Sequence, residues 1–135
     1  MSHQIFVNLP VRDLEASKAF FRALGYANNP QFTDENAACV VISESIYVML
    51  LVEPFFQGFT RKAICDSRTH TEVILCLSAD SRAAVDGMVD RALAAGGGEP
   101  MEAKDYGFMY QRSFQDLDGH LWEVVHMDEG AMPAD

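Results

Sequence analysis

Twice along the chain an alternating apolar segment gives way to an amphipathic helical pattern and then to three short strand-like runs. This repeated order limits the possible folds more than any other feature of the sequence. Ile5, Val7 and Leu9 alternate with Gln4, Phe6 and Asn8, so a first strand has two distinct faces. Pro10 and Asp13 end that strand and open a helix. The Asp13 carboxylate can accept from the free N–H groups of the first turn, Leu14, Phe21 and Leu24 share a face, and Gly25 is the stop. Strands are then expected around Gln31 to Thr33, Ala37 to Ile42 and Ile46 to Val52. Asp34-Glu35-Asn36 and Ser43-Glu44-Ser45 are the turns between them. The stretch from Glu53 to Thr69 is irregular and carries Pro54, Phe55, Phe56, Gly58 and Phe59, read as a linker whose aromatics pack locally.

The order then recurs. Val73, Leu75 and Leu77 alternate in a strand from Glu72 to Leu77. Asp80 or Ser81 caps a helix whose Val85, Met88, Val89, Ala92 and Leu93 follow the helical period, and Gly96-Gly97-Gly98 ends it. Strands follow at Glu99 to Ala103, Phe108 to Phe114 and His120 to Val125, the last two joined by a tight turn at Asp116-Leu117-Asp118-Gly119. The expected fold is α+β: tandem βαβββ modules forming curled mixed sheets around a shared cleft. They fill one domain over residues 1–135, with modules at about 3–52 and 70–127. A concave surface of that kind suits a small ligand.

Composition removes other classes of function. Ten Lys and Arg against twenty Asp and Glu give a formal charge of −10, and the densest basic stretch is Arg61-Lys62 with Arg68 nearby. A nucleic acid or an anionic membrane needs a basic patch, so neither is an expected partner. No apolar run approaches the roughly 20 residues that span a bilayer. The polar start Met1-Ser2-His3-Gln4 lacks the pattern of a signal peptide, so the expected location is the cytoplasm. Cys39, Cys65 and Cys76 show no CxxC spacing. Cys39 and Cys76 sit in apolar runs and are expected to be buried thiols in a reducing compartment, while Cys65 lies in a polar stretch. The tail from Asp128 to Asp135 is expected to be an exposed end.

Val11-Arg12-Asp13-Leu14-Glu15-Ala16-Ser17, followed by Phe20-Phe21 and Leu24-Gly25, resembles the V-x-D-L-x-x-S-x-x-F-Y…L-G segment of the vicinal oxygen chelate superfamily. That group includes glyoxalase I, bleomycin-resistance proteins, fosfomycin-resistance enzymes and extradiol dioxygenases. The helix ending Ala94-Ala95-Gly96-Gly97 adds to the likeness. So does Phe114-Gln115-Asp116-Leu117-Asp118-Gly119-His120-Leu121-Trp122-Glu123, which is similar to the family's F-x-D-P-D-G-x-x-x-E close with Leu117 in place of proline. The resemblance covers roughly Gln4 to Met127.

It implies one divalent metal in the cleft, held by residues of equivalent strands and acting as a Lewis acid on neighbouring substrate oxygens. Carried over residue by residue, the first ligand position is Phe6, which has no donor atom. Asn8 shares its face. The fourth-strand position falls near Met49, the fifth-strand position at Glu72 (with a one-residue slip possible) and the last at Glu123. Zinc, iron and nickel sites favour imidazole beside carboxylate, and none of these positions is histidine. Glu72 and Glu123, with Asn8 and waters, can hold Mg²⁺ or Mn²⁺ only loosely. Without a metal, the two carboxylates are expected to act as general acid or base, to meet a cationic ligand, or, for Glu123, to pair with Arg112 on the preceding strand. His3 and His70 are expected at the surface and His120 in a turn. His126 has opposite parity to Glu123 and therefore faces the other way. Tyr110 and Arg112 are expected to wall the cleft, and Trp122 to face the sheet–helix core.

Two functions follow. One is a glyoxalase- or bleomycin-resistance-like protein that binds a small molecule as a homodimer, with no cofactor. The other is a lyase, isomerase or dioxygenase of the same superfamily using Mg, Mn, Ni or Zn. A regulatory domain with a filled cleft is a third reading.

Overall fold

The computed structural model describes residues 3–128 and 130. The tail from Asp128 onward lies mostly outside the described residues. The chain divides between Asp66 and Ser67 into two compact units.

The first unit runs β1 (Ile5–Val11), α1 (Leu14–Ala23), β2 (Ala27–Asn29), a 3₁₀ turn (Pro30–Phe32), β3 (Ala37–Val41), β4 (Ile46–Val52) and α2 (Glu53–Gln57). Its mixed sheet has the order β1-β4-β3-β2, with β1 parallel to β4 and the other pairs antiparallel. The second unit runs β5 (Ile74–Ser78), α3 (Arg82–Ala94), β6 (Lys104–Asp105), β7 (Met109–Gln115) and β8 (Leu121–Met127). Its sheet order is β5-β8-β7-β6, again with one parallel pair, β5 with β8. Each unit is therefore an open βαβββ sheet with its helix on one face.

The local causes are visible in the caps. Asp13 accepts from the Ala16 N–H at 3.1 Å, and Ser81 accepts from the Ala84 N–H at 3.0 Å. Each satisfies an N–H that the helix itself leaves without a partner. Gly25 ends α1 with φ +106°, a conformation that costs a side chain but not glycine. β1 passes through Pro10 because it is an edge strand, where a missing N–H costs least.

The strand period then sorts the residues. In the first unit Leu9, Val11, Ala38, Val40, Val48 and Leu50 turn towards α1, and Phe20, Phe21 and Leu24 of that helix close the core. Each large side chain removed from water contributes about 2 kcal/mol. In the second unit Val85, Val89 and Ala92 of α3 cover Phe114, Trp122 and Val124. Trp122 thus faces the sheet–helix core, as its parity predicts.

Four expectations need correction. Gln31 to Thr33 is not a strand: Asn29 accepts from the Gln31 N–H through its side chain and Pro30 starts a 3₁₀ turn, so the second strand comes earlier, at Ala27–Asn29. Glu99 to Ala103 makes no continuous strand. A bridge from Gly98 to Gln115 and the short β6 flank Pro100, which has no N–H to give a ladder. The linker begins with a helix, α2, whose Pro54 sits in its first turn. Cys76 is exposed, opposite Glu123 on the face that α3 does not cover, whereas Cys39 is buried opposite Met49.

Ion pairs tie the edge of the second unit to α3. Arg82 grips Asp105 with both guanidinium nitrogens, at 2.7 and 2.9 Å. That hydrogen bond, helped by the Gly107 N–H, holds the Asp105 carboxyl down at about 2. The folded form of this acid lies below its unfolded value, so the stabilisation is present above about pH 4 and is lost as pH falls towards 2. Asp105→Asn should flatten the acid limb of the unfolding midpoint between about pH 4 and 2, where the parent chain slopes. A slope equal to the parent's in a series of thermal melts would refute that role for the pair.

Candidate functional site

Each sheet has one face covered by its helix and one face left free of it, and the candidate residues divide between them. On β1 and β4 the register pairs Phe6 with Tyr47 and Asn8 with Met49. These positions alternate with the buried Leu9, Val48 and Leu50 and so point away from α1. Phe6 stacks on Tyr47 with ring centroids 4.9 Å apart and planes 11° from parallel. Asn8 and Met49 line a cavity of about 440 Å³ together with Leu51, Phe32, Phe55 and Phe59.

The three phenyl rings come from segments read from the sequence as a strand and a linker. The 3₁₀ turn presents Phe32, while α2 and the residues after it present Phe55 and Phe59, whose rings meet edge to face at 5.3 Å. Phe32 and Phe59 are 59% and 68% exposed, which is unusual for side chains of this kind and leaves apolar surface around the cavity free to bind. Pro54 following Glu53 was the available signal: proline in a first helical turn announces α2 and hence the projection of Phe55.

On the second sheet, β7 and β8 pair Ser113 with Glu123 and Arg112 with Val124. Val124 is buried under α3, so the even-numbered side chains of β7 turn towards that helix and Glu123 turns away from it. The placement of Tyr110 and Arg112 in one wall with Glu123 is therefore corrected. Tyr110 donates to Asp86 at 2.6 Å, which lowers the Asp86 carboxyl and raises the tyrosine hydroxyl. Arg112 donates to Asp86, Asp90 and Glu99 at 3.0–3.1 Å. The guanidinium is thus committed to α3 and the loop after it. The partner of Glu123 is Gln111, whose side-chain amide donates to Oε2 at 2.9 Å.

Glu72 lies two residues before β5, outside the strand expected to carry it. Its carboxylate meets the buried His120 ring at 3.1 Å. His120 is in turn held by its backbone N–H donating to Asp116, which also receives the Asp118 N–H and the Trp122 indole N–H. Burial raises the Asp116 carboxyl above the usual range. The turn motif near the end of the chain is thus a fastening. Ser67 donates to the Asp118 carbonyl at 2.8 Å, and Gly119 lies against the Ser67 and Arg68 backbone. His126 contacts the Ala79 carbonyl at 2.9 Å, away from Glu123, and the exposed His70 meets its neighbour Thr69.

The four metal-ligand positions implied by the family resemblance do not offer a fitting donor set. In the first unit Phe6 supplies a stacked ring and Met49 a thioether. In the second unit Glu72 is engaged by His120 and Glu123 by Gln111. Divalent sites of this kind draw on imidazole and carboxylate together. Among the described residues, no three His, Cys, Asp or Glu side chains group as metal ligands.

Comparison with known proteins agrees with this architecture. The family described as bleomycin resistance protein-like N-terminal matches residues 4–43. A hypothetical protein, SA1046, from S. aureus is 30% identical, with 93% of this chain and 95% of that chain covered and a TM-score of 0.78. A glyoxalase/bleomycin resistance protein/dioxygenase family enzyme from Burkholderia phytofirmans PsJN is 16% identical over 93% of this chain and 99% of its own, with a TM-score of 0.76. TnmS3, an antibiotic binding protein from Streptomyces sp. CB03234, is 19% identical over 94% and 97%, with a TM-score of 0.63. No curated protein sequence matches. Among the described residues, no helix is long and apolar enough to cross a membrane.

Proposed function

Because the chain belongs to the vicinal oxygen chelate superfamily, we propose that it binds a small, largely apolar or aromatic molecule on the uncovered sheet faces, without the histidine-based metal centre of its enzymatic relatives. The observation that carries this reading is Phe6. It occupies the first ligand position of the family and is stacked on Tyr47, two residues along β1 from Asn8. Asn8 lines a cavity whose apolar wall is Met49, Leu51, Phe32, Phe55 and Phe59 and whose polar groups include Gln31, Thr33 and Asp34. Apolar walls with few polar groups are the usual composition of small-molecule sites. TnmS3, an antibiotic binding protein, has a similar fold, so the fold accommodates a binding role as well as a catalytic one. The reading places the protein in the cytoplasm as a homodimer whose partners are small molecules. The acidic balance and the three cysteines without CxxC spacing favour it.

Two measurements test it. Protein purified without a histidine tag should carry no stoichiometric metal, and titration with Mn²⁺, Ni²⁺ or Zn²⁺ should bind no better than to Glu123→Ala. Indole, as a planar apolar probe, should raise the unfolding temperature in proportion to the logarithm of its concentration. Phe55→Ala should weaken that response about tenfold, the equivalent of 1.4 kcal/mol of lost apolar contact. Tight one-to-one metal binding that disappears in Glu123→Ala would instead favour the metal-dependent lyase, isomerase or dioxygenase reading. Glu123, which stands at the family's last ligand position, is the residue that favours that alternative.

A further inference from the structure

The face of the second sheet that α3 leaves uncovered carries a carboxylate without a cation. Glu123 is half-buried on β8, between Ser113 on β7 and Cys76 on β5 in the strand register. Among the described residues no Lys, Arg or His pairs with it. Arg82 is bound to Asp105, and Arg112 to Asp86, Asp90 and Glu99. A carboxylate offers about four acceptor positions, and the Gln111 amide fills one. Beside it Ser113 is only 7% exposed, and its hydroxyl has no hydrogen-bond partner. Native structures seldom leave such a buried group unsatisfied. Two adjacent groups on one face thus have hydrogen-bonding capacity that the chain does not use.

We propose that this face binds the ammonium group of a small organic cation, with Glu123, Ser113 Oγ and the side-chain carbonyl oxygen of Gln111 as its acceptors. The inference rests on the reading that uncovered sheet faces bind small molecules, and it names the chemical class taken here. An ammonium has three donors and no acceptor. The row supplies three acceptor groups and one negative charge. Rotation of Ser113 about χ1, a change between staggered wells, turns its oxygen to the ligand. One carboxylate beside a hydroxyl and an amide is a weak set for a divalent metal, which takes several oxygen ligands with more charge. An anion would meet the carboxylate itself. The chain's charge of −10 also draws cations towards the surface.

Titration of the ¹⁵N-labelled full chain with benzylamine, and separately with benzyl alcohol, tests the proposal by NMR. Benzylamine should move the amide signals of Gln111, Ser113 and Glu123, and benzyl alcohol should bind at least about tenfold more weakly because it lacks the charge. Glu123→Gln, which keeps the shape of the side chain, should weaken benzylamine about tenfold and leave benzyl alcohol unchanged. Ser113→Ala should weaken benzylamine severalfold with no loss of thermal stability, since it removes a hydroxyl that has no partner. Should Glu123→Gln fail to fold, the amine–alcohol difference and Ser113→Ala still decide. Equal affinity for amine and alcohol, or three signals that stay in place, overturns the proposal. So does Mn²⁺ that broadens those signals and displaces the amine. If the signals stay in place while indole moves those of Asn8 and Met49, this inference falls and the binding reading stands. If neither probe moves either set, both fall.

Discussion

Trp122→Ala is expected to lose about 3–5 kcal/mol of stability, enough to unfold the second unit at body temperature. Trp122 is 1% exposed and lies parallel to Phe114, with centroids 5.9 Å apart and planes 3° from parallel. Alanine there leaves a void under α3 that neighbouring strands cannot collapse to fill. It also removes the indole N–H that reaches Asp116 at 3.1 Å, stripping one of the donors that make a buried carboxyl tolerable. Trp122→Phe separates the two effects. It keeps most of the stacked surface and loses the hydrogen bond, at a cost of about 1–3 kcal/mol. Urea unfolding followed by far-ultraviolet circular dichroism measures both, since Trp122 is the one tryptophan and its fluorescence goes with it. Equal losses for the two variants would show that the indole N–H matters more than the volume.

Gly119→Ala should cost about 2–4 kcal/mol, an unusual penalty for one methyl group. The backbone there has φ +87°, which disfavours a side chain by about 1–2 kcal/mol. A Cβ would also fall 2.7 Å from the Ser67 carbonyl oxygen and 2.9 Å from the Arg68 Cα, both backbone atoms that cannot rotate aside. Gly107→Ala is the control. Its φ is +82°, but nothing stands within 4 Å of the added carbon, so it should show the conformational penalty alone. The difference between the two melting temperatures isolates the collision, roughly 5–10 °C for a unit of this size. If the two substitutions cost the same, the packing of Gly119 on the 67–68 backbone contributes nothing.

The parts of the fold that were legible in the sequence are those set by local chemistry. Asp13 and Gly25 frame α1 because a side-chain acceptor and a positive φ act within a few residues. Strands β3 and β4 are short apolar runs between polar turns, and they appear where expected. Parity also placed Phe6 and Asn8 on one face and turned Trp122 and His126 to the other side from Glu123, while Met49, reached through the family resemblance, pairs with Asn8. The misreadings came where a single residue overrides a pattern, as Asn29 and Pro30 do in making a turn of Gln31 to Thr33.

Part of the candidate site was harder to see. The parity that separates His126 from Glu123 applies on β7 only through the pairing of Ser113 with Glu123, and register is set by tertiary packing. Tyr110 and Arg112 consequently belong to α3, while Gln111 and Ser113 stand beside Glu123. The carboxylates that claim Arg112, at Asp86 and Asp90 on α3 and Glu99 beyond it, are far from it in the sequence and near it only after folding.

The parallel pairing of first and last strands sets a timetable for synthesis. Ile5 finds its partner only at Ile46, and Ile74 only at Leu121. On a ribosome adding about 5–20 residues per second, β1 emerges and waits for several seconds before β4 exists to hydrogen-bond it. During that interval the nascent segment shows Val7, Leu9 and Val11 with an open edge, a template for pairing with another chain. Release of a nascent chain before Val52 therefore yields an aggregation-prone fragment. Release just after it yields a unit whose sheet is complete, and the same dependence returns for β5 until β8 has been made.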